Sequence, residues 1–183
     1  MSWYCLSVRL PANLKTMSYV ANSTVTAVHN YLANRSLDTN RLANLRDTHE
    51  TAVYTYLTSH HLQAVRVEVF GSEADDIAIE WFDVAFERTS SEDRDGVEKR
   101  RHVTDFEQYH EELAAELQTL DSLSSTADYR ILLGIVNEND LGQSPPSIDG
   151  WVETTPRTAP STTTTSDVDA ARQYDLTWYE HIL

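Results

Sequence analysis

Tyr129-Arg130-Ile131-Leu132-Leu133-Gly134-Ile135-Val136 decides the fold. The run is short and almost continuously apolar, which marks a central strand covered on both faces. Working upstream, Ala64-Val65-Arg66-Val67-Glu68-Val69-Phe70 alternates with a period of two and reads as a half-buried strand. Gly71 to Asp76 form a turn, and residues 77–88 are expected to be the return strand. In that strand Ile77, Ile79 and Trp81 share one face, whereas Phe82, Val84 and Phe86 share the other. The slip in phase between Trp81 and Phe82 calls for a bulge or for burial of both faces.

Helical periods flank these strands. Residues 15–34 place Met17, Val20, Ala21, Thr24, Val28, Tyr31 and Leu32 on one stripe. Residues 40–59 form a second helix on Leu42, Leu45, His49, Val53, Tyr56 and Leu57, with threonines that lower its propensity. Residues 1–10 alternate weakly and end at Pro11. Residues 89–103 are a charged connection. Thr104 and Glu107 fit a capping box opening a helix that runs to about Leu123, with Phe106, Tyr109, Leu113, Leu117 and Leu120 on its buried stripe. The expected fold class is α+β, a small, mainly antiparallel sheet on three helices.

The chain then divides into a core, 1–136, and a C-terminal segment, 137–183, of the same domain. The segment opens with Ser, Thr and four of the five prolines, Trp151 among them. So long a stretch without regular structure is uncommon inside a domain. It ends in Tyr174, Leu176, Trp178, Tyr179 and Ile182, which a disordered tail would not carry. Its end is expected to dock on the sheet as a strand.

Composition excludes several functions. With 29 acidic against 14 basic residues the formal charge is −15. Lys15 and Lys99 are the only lysines. Such a surface suits a halophilic cytoplasmic protein, in which salt screens self-repulsion. It opposes binding to a phosphate backbone. Lys99-Arg100-Arg101 is the one basic knot, and acids surround it. No stretch of about 18 apolar residues suggests a membrane span, and no signal peptide is expected at the N-terminus. Cys5, the single cysteine, reads as a small buried hydrophobe.

The glycines at 71, 96, 134, 142 and 150 form no phosphate loop. His60 and His61 are adjacent and cannot face one metal from a helix, so they read as a partly exposed helix end. Glu111, Glu112 and Glu116 could be acid–base groups, but they lie opposite an apolar stripe and read as solvated. Asp83, inside an apolar strand, is the most distinctive carboxylate, and a hydrogen bond to backbone is its simpler explanation. The alternative function is a small halophilic enzyme using Asp83 or the helix carboxylates. No catalytic residue, cofactor or metal is expected.

Two helices, a hairpin carrying Glu80-Trp81-Phe82-Asp83-Val84-Ala85-Phe86-Glu87, a charged loop, a long helix, the strand 129–136, Asn137 to Leu141, prolines and Gly150-Trp151-Val152-Glu153 follow in order. This order resembles the HORMA domain of spindle-checkpoint, meiotic-axis and translesion-polymerase adaptors. The hairpin looks like that family's W-x-F-D strand, with the Trp-to-Phe spacing shortened by one. Met17 to Asn22 is similar to the opening helix of prokaryotic members. The resemblance implies a non-enzymatic adaptor that binds a closure-motif peptide of a partner protein as an added strand, with 137–183 as a "safety belt" wrapping over it. It also implies an AAA+ ATPase remodeller and, in prokaryotes, a cGAS/DncV-like nucleotidyltransferase in antiviral defence. Leu133, Ile135 and Trp151 carry over as peptide-binding candidates. The Thr162–Thr165 run and Pro145-Pro146 depart from any alignable belt path. The oligomeric state, homo-oligomer included, is left open.

Overall fold

In the computed structural model the described residues are 2–10, 14–88, 108, 110–158 and 176–182. The elements are β1 (Ser2–Leu10), α1 (Leu14–Asn34), α2 (Asn40–Asn44), α3 (Arg46–Thr58), β2 (Leu62–Phe70), β3 (Glu80–Arg88), α4 (110–117), β4 (Asp128–Val136), β5 (Trp151–Thr154) and β6 (Leu176–His181). The six strands form one sheet in the order β1-β3-β2-β4-β6-β5. β1 runs parallel to β3, and the other neighbours are antiparallel. This is an α+β fold. β4 lies between β2 and β6, as its apolar run requires.

One face of the sheet packs on the helices. Val65, Val67 and Val69 of β2, Phe82, Val84 and Phe86 of β3, and Ile131, Leu133 and Ile135 of β4 join the core with Val20, Val28 and Tyr31 of α1 and Val53 and Leu57 of α3. β1 adds Tyr4, Leu6 and Val8. A buried polar anchor sets the corner where β3 begins. Glu80 accepts from the Tyr31 hydroxyl at 2.7 Å and from Arg35 Nε at 3.0 Å. Burial, with the neighbouring Glu80 carboxylate adding to it, drives the Tyr31 phenol well above its ordinary pKa.

The structure corrects several boundaries. The expected helix 40–59 is two helices, because the chain tightens at Leu45, whose N–H reaches back three residues to Leu42. β3 begins at Glu80 rather than 77, and Ile77 is exposed. β3 has no bulge: its register with β2 runs unbroken from Ala64↔Ala85 to Val69↔Glu80. Asp83 on one face and Phe82, Val84 and Phe86 on the other are all buried, so the phase slip reflects burial of both faces. The irregularity falls instead between Leu62 and Ala64 of β2. α4 ends at 117, not near 123, with Leu113 and Leu117 buried and Glu111, Glu112 and Glu116 exposed. Thr104, Phe106, Glu107, Tyr109 and the basic knot lie outside the described residues.

His61 is not at an exposed helix end. His60 takes a left-handed φ of 65°, and the His61 N–H returns to Tyr56 at 2.9 Å, closing α3 with a six-to-one contact. That turn buries the His61 ring, which bonds Ser59 Oγ and the Gln143 carbonyl. No helix among the described residues is long and apolar enough to cross a membrane.

Candidate functional site: the β4 edge and its terminal hairpin

Alternation along β4 fixes what its outer edge can offer. Each residue of a strand turns both backbone groups to the same neighbour. Val136 donates to His61 on the β2 side, so Leu133 and Ile135 face the opposite edge. There they register with Tyr179 and Thr177 of β6. Five pairs join β4 to β6, from Leu132↔Glu180 to Val136↔Leu176, and four join β6 to β5. The chain's own terminal strand therefore occupies the β4 edge.

Beyond β6 the edge is closed by side chains. Asp128 Oδ1 accepts from the Tyr129 N–H at 2.7 Å. Arg41 donates to the Tyr129 carbonyl, bridges to Asp128 at 3.1 Å and lies 4.0 Å above the Tyr129 ring. A groove of about 340 Å³ runs beside this end, lined in part by Leu42, Leu45, Ile131 and Ile182.

The face away from the helices holds the hairpin through three arginines. Arg66 donates to both Asp83 oxygens, at 2.7 and 2.6 Å, and both side chains are buried. Its guanidinium is 3.5 Å from the centre of the Trp81 ring and 4.6 Å from that of Trp178. Trp178 lies over Gly134, where a Cβ would come within 2.9 Å of its ring. Arg130 joins buried Glu68 at 2.7 Å to Glu180 of β6 at 3.3 Å, Thr154 of β5 at 3.2 Å and the Thr155 carbonyl at 2.7 Å. The Arg157 backbone N–H also donates to Glu68, at 2.8 Å, and its side chain lies 3.7 Å over Phe70. Thr158 pins the chain to the β2–β3 loop, its carbonyl accepting from the Ala78 N–H at 3.0 Å and its N–H donating to the Asp76 carbonyl at 2.8 Å.

On the helix side the hairpin meets α3. Trp151 packs edge-on against His49 at 5.3 Å and His181 at 5.4 Å. Burial lowers the His49 pKa, and the neighbouring His181 and Arg41 charges lower it further, against a hydrogen bond to the Leu45 carbonyl that raises it. Tyr56 and Tyr179 stack at 6.4 Å. Asn139 ties the strand exit to Ser59, donating to its carbonyl at 2.9 Å.

The three candidate residues thus fall in different settings. Leu133 and Ile135 are 0% exposed, with side chains in the core and backbone at the edge. Trp151 is buried between α3 and β6. Asp83 spends both oxygens on Arg66 rather than on backbone alone. Sequence alone gives Gly134, Arg66 and Arg130 no role, and gives Trp178 only a place on the docking strand. A glycine inside a strand signals close approach of another group, and Gly134 carried that signal.

The family model for bacterial HORMA domain 2 matches residues 5–171, nearly the whole chain. No curated protein matches it. The chain belongs to the bacterial HORMA domain 2 family, whose role is protein interaction.

Proposed function

From this membership of the bacterial HORMA domain 2 family, we propose that the protein is a non-enzymatic adaptor. It holds a short closure-motif segment of a partner as an added strand on the β4 edge. The segment 137–183 acts as the safety belt that wraps over it. Main-chain pairing supplies affinity in such a complex, and alternate side-chain pockets supply specificity. The observation that carries the reading is the pairing of β6 along Leu132 to Val136. It supports an edge able to receive an extended strand, and it means that β6 must yield that position when a partner segment arrives. Leu133 and Ile135 contribute their backbone groups to the segment, and Trp151 anchors the belt where it starts.

An AAA+ ATPase as remodeller, a cGAS/DncV-like nucleotidyltransferase as the signalling output in antiviral defence, and a cytoplasmic, high-salt setting complete the proposal. The test is capture of partners at molar salt by the full chain and by a chain lacking residues 149–183. Hydrogen exchange is then measured on the complex that forms. The reading requires loss of a partner on deletion and, in the complex with the full chain, retained protection at the Leu133 and Ile135 amides together with faster exchange at Thr177 and Tyr179, which leave the edge. An unchanged set of partners refutes it.

A further inference from the structure

Resting on that reading, we infer that β6 is a stand-in for the strand the edge captures, and that its contacts specify the ligand: an extended peptide with a flat aromatic residue followed, two positions on, by an acid. Two neighbouring positions on one face carry the inference. At Gly134 the sheet has a slot that a side chain on β4 would fill, since a Cβ would stand 2.9 Å from two Trp178 ring carbons and 3.2 Å from Leu176 Cδ1. The slot is bounded by the Arg66 guanidinium, itself 3.5 Å from the centre of the Trp81 ring. Asp83 orients that guanidinium through two hydrogen bonds. A planar π system seated there covers the glycine and presents its face to a buried cation, an interaction that strengthens when desolvated. An aliphatic side chain cannot supply that face.

Two residues along, Arg130 holds Glu180. Arg130 already spends Nε on Glu68 and Nη2 on the Thr155 carbonyl. Its Nη1, which reaches Thr154 and Glu180, is thus aimed at the strand pairing with Leu132. An acid on an incoming strand at this register takes the place of Glu180, and a lysine there meets a guanidinium of its own sign. β6 is suited to be displaced: all six of its residues are only half-buried, whereas β4 from Ile131 to Ile135 is buried throughout.

The test begins with two fluorescent peptides. One copies residues 173–182, Gln-Tyr-Asp-Leu-Thr-Trp-Tyr-Glu-His-Ile, and the other carries alanine at its tryptophan. Both are titrated against full-length Trp178→Ala, in which the slot is vacated, with hydrogen exchange at Leu133 and Ile135. Full-length Thr177→Pro serves as a second protein. Ile182 donates to Gly150 of the β5 side, so the odd residues of β6 donate to β4, and proline at 177 removes one such donor without touching the slot. The native-sequence peptide is expected to bind at least about tenfold more tightly than the alanine peptide, the scale of an aromatic anchor in a desolvated pocket. A third peptide with lysine at the Glu180 position should lose binding as well. Equal binding of all three, with the β4 amides protected, overturns the aromatic–acid rule and leaves strand capture standing. No protection by any peptide in either protein refutes strand capture and the rule together.

Discussion

Two strands from opposite ends of the chain flank the three central strands β3, β2 and β4, and they are held in different ways. β1 registers with β3 over nine residues and sends Tyr4, Leu6 and Val8 into the core. β6 registers with β4 over five and stays half-buried along its length. Its docking depends on Trp178 over Gly134, Glu180 on Arg130, and β5 carrying Trp151 to α3. Apolar burial is insensitive to small changes in angle, whereas stacking and charged pairs need geometry. The first flank is therefore part of the fold, and the second is attached to it. Segments with fewer buried contacts open at lower free energy than the core they adjoin.

The largest expected effect comes from the one pair that serves both flanks. Asp83 stands opposite Cys5 of β1 and orients Arg66, which faces Trp178 of β6. Asp83→Asn leaves the buried Arg66 charge uncompensated and should cost about 3–5 kcal/mol, the usual cost of breaking a buried ion pair. Urea unfolding measures it.

Leu6→Ala breaks the first flank alone. Leu6 is buried in the core, so its truncation should lower global stability by about 2–5 kcal/mol. Amides of β1, β2 and β3 should all exchange faster, because β1 has no separate opening. Gly134→Val breaks the second flank. The new side chain collides with Trp178, and overpacking of this kind costs about 1–3 kcal/mol. Here the loss should appear as faster exchange at residues 176–181, with β2 amides unchanged. Uniform acceleration in both variants would erase the distinction between the flanks.

The same contrast explains what was legible in the sequence. Tyr129–Val136 declared itself because its apolar run and its burial coincide. Ala64–Phe70 was legible as a strand from its period, but it is not half-buried: Arg66 and Glu68 on its polar face are buried as well. The return strand misled because the sheet is buried on both faces at β3. Asp83 is buried against Arg66 on the face where polarity suggests solvent, and the apparent bulge is no bulge. β5 was unreadable: Trp-Val-Glu-Thr is four residues long, and its pairing depends on β6, more than twenty positions further on. The terminal strand was legible from its aromatics, but its neighbour was not, since nothing local to residues 176–181 names β4. The arginine contacts escaped for the same reason. Arg130 meets Glu68 across 62 positions and Glu180 across 50, distances over which a single sequence carries no pairing signal.

The smallest effect tests the helix-side contact of the hairpin. Burial keeps His49 below the ordinary histidine value of 6.5, with its ring 5.3 Å from Trp151 and 6.0 Å from that of His181. In the unfolded chain His49 takes a proton near 6.5, and in the folded protein it does so only at lower pH. The unfolded state thus binds more protons as pH falls through that window, and stability drops with it. Above about 6.5 both states hold a neutral ring and the contribution is complete. The groups facing His49 act in the same direction, since the electrostatic influence of His181, and then of Arg41, also disfavours its charged form. His49→Gln should therefore unfold with a shallower dependence on pH between 7.5 and 5 than the parent, whatever slope the acidic surface gives both proteins. Hydrogen exchange should place the parent's loss first at residues 151–154 and 176–181, where the hairpin leans on α3. Parallel pH profiles for the two proteins would show that the contact on this side is carried by Tyr56 and Tyr179 instead, which stack at 6.4 Å.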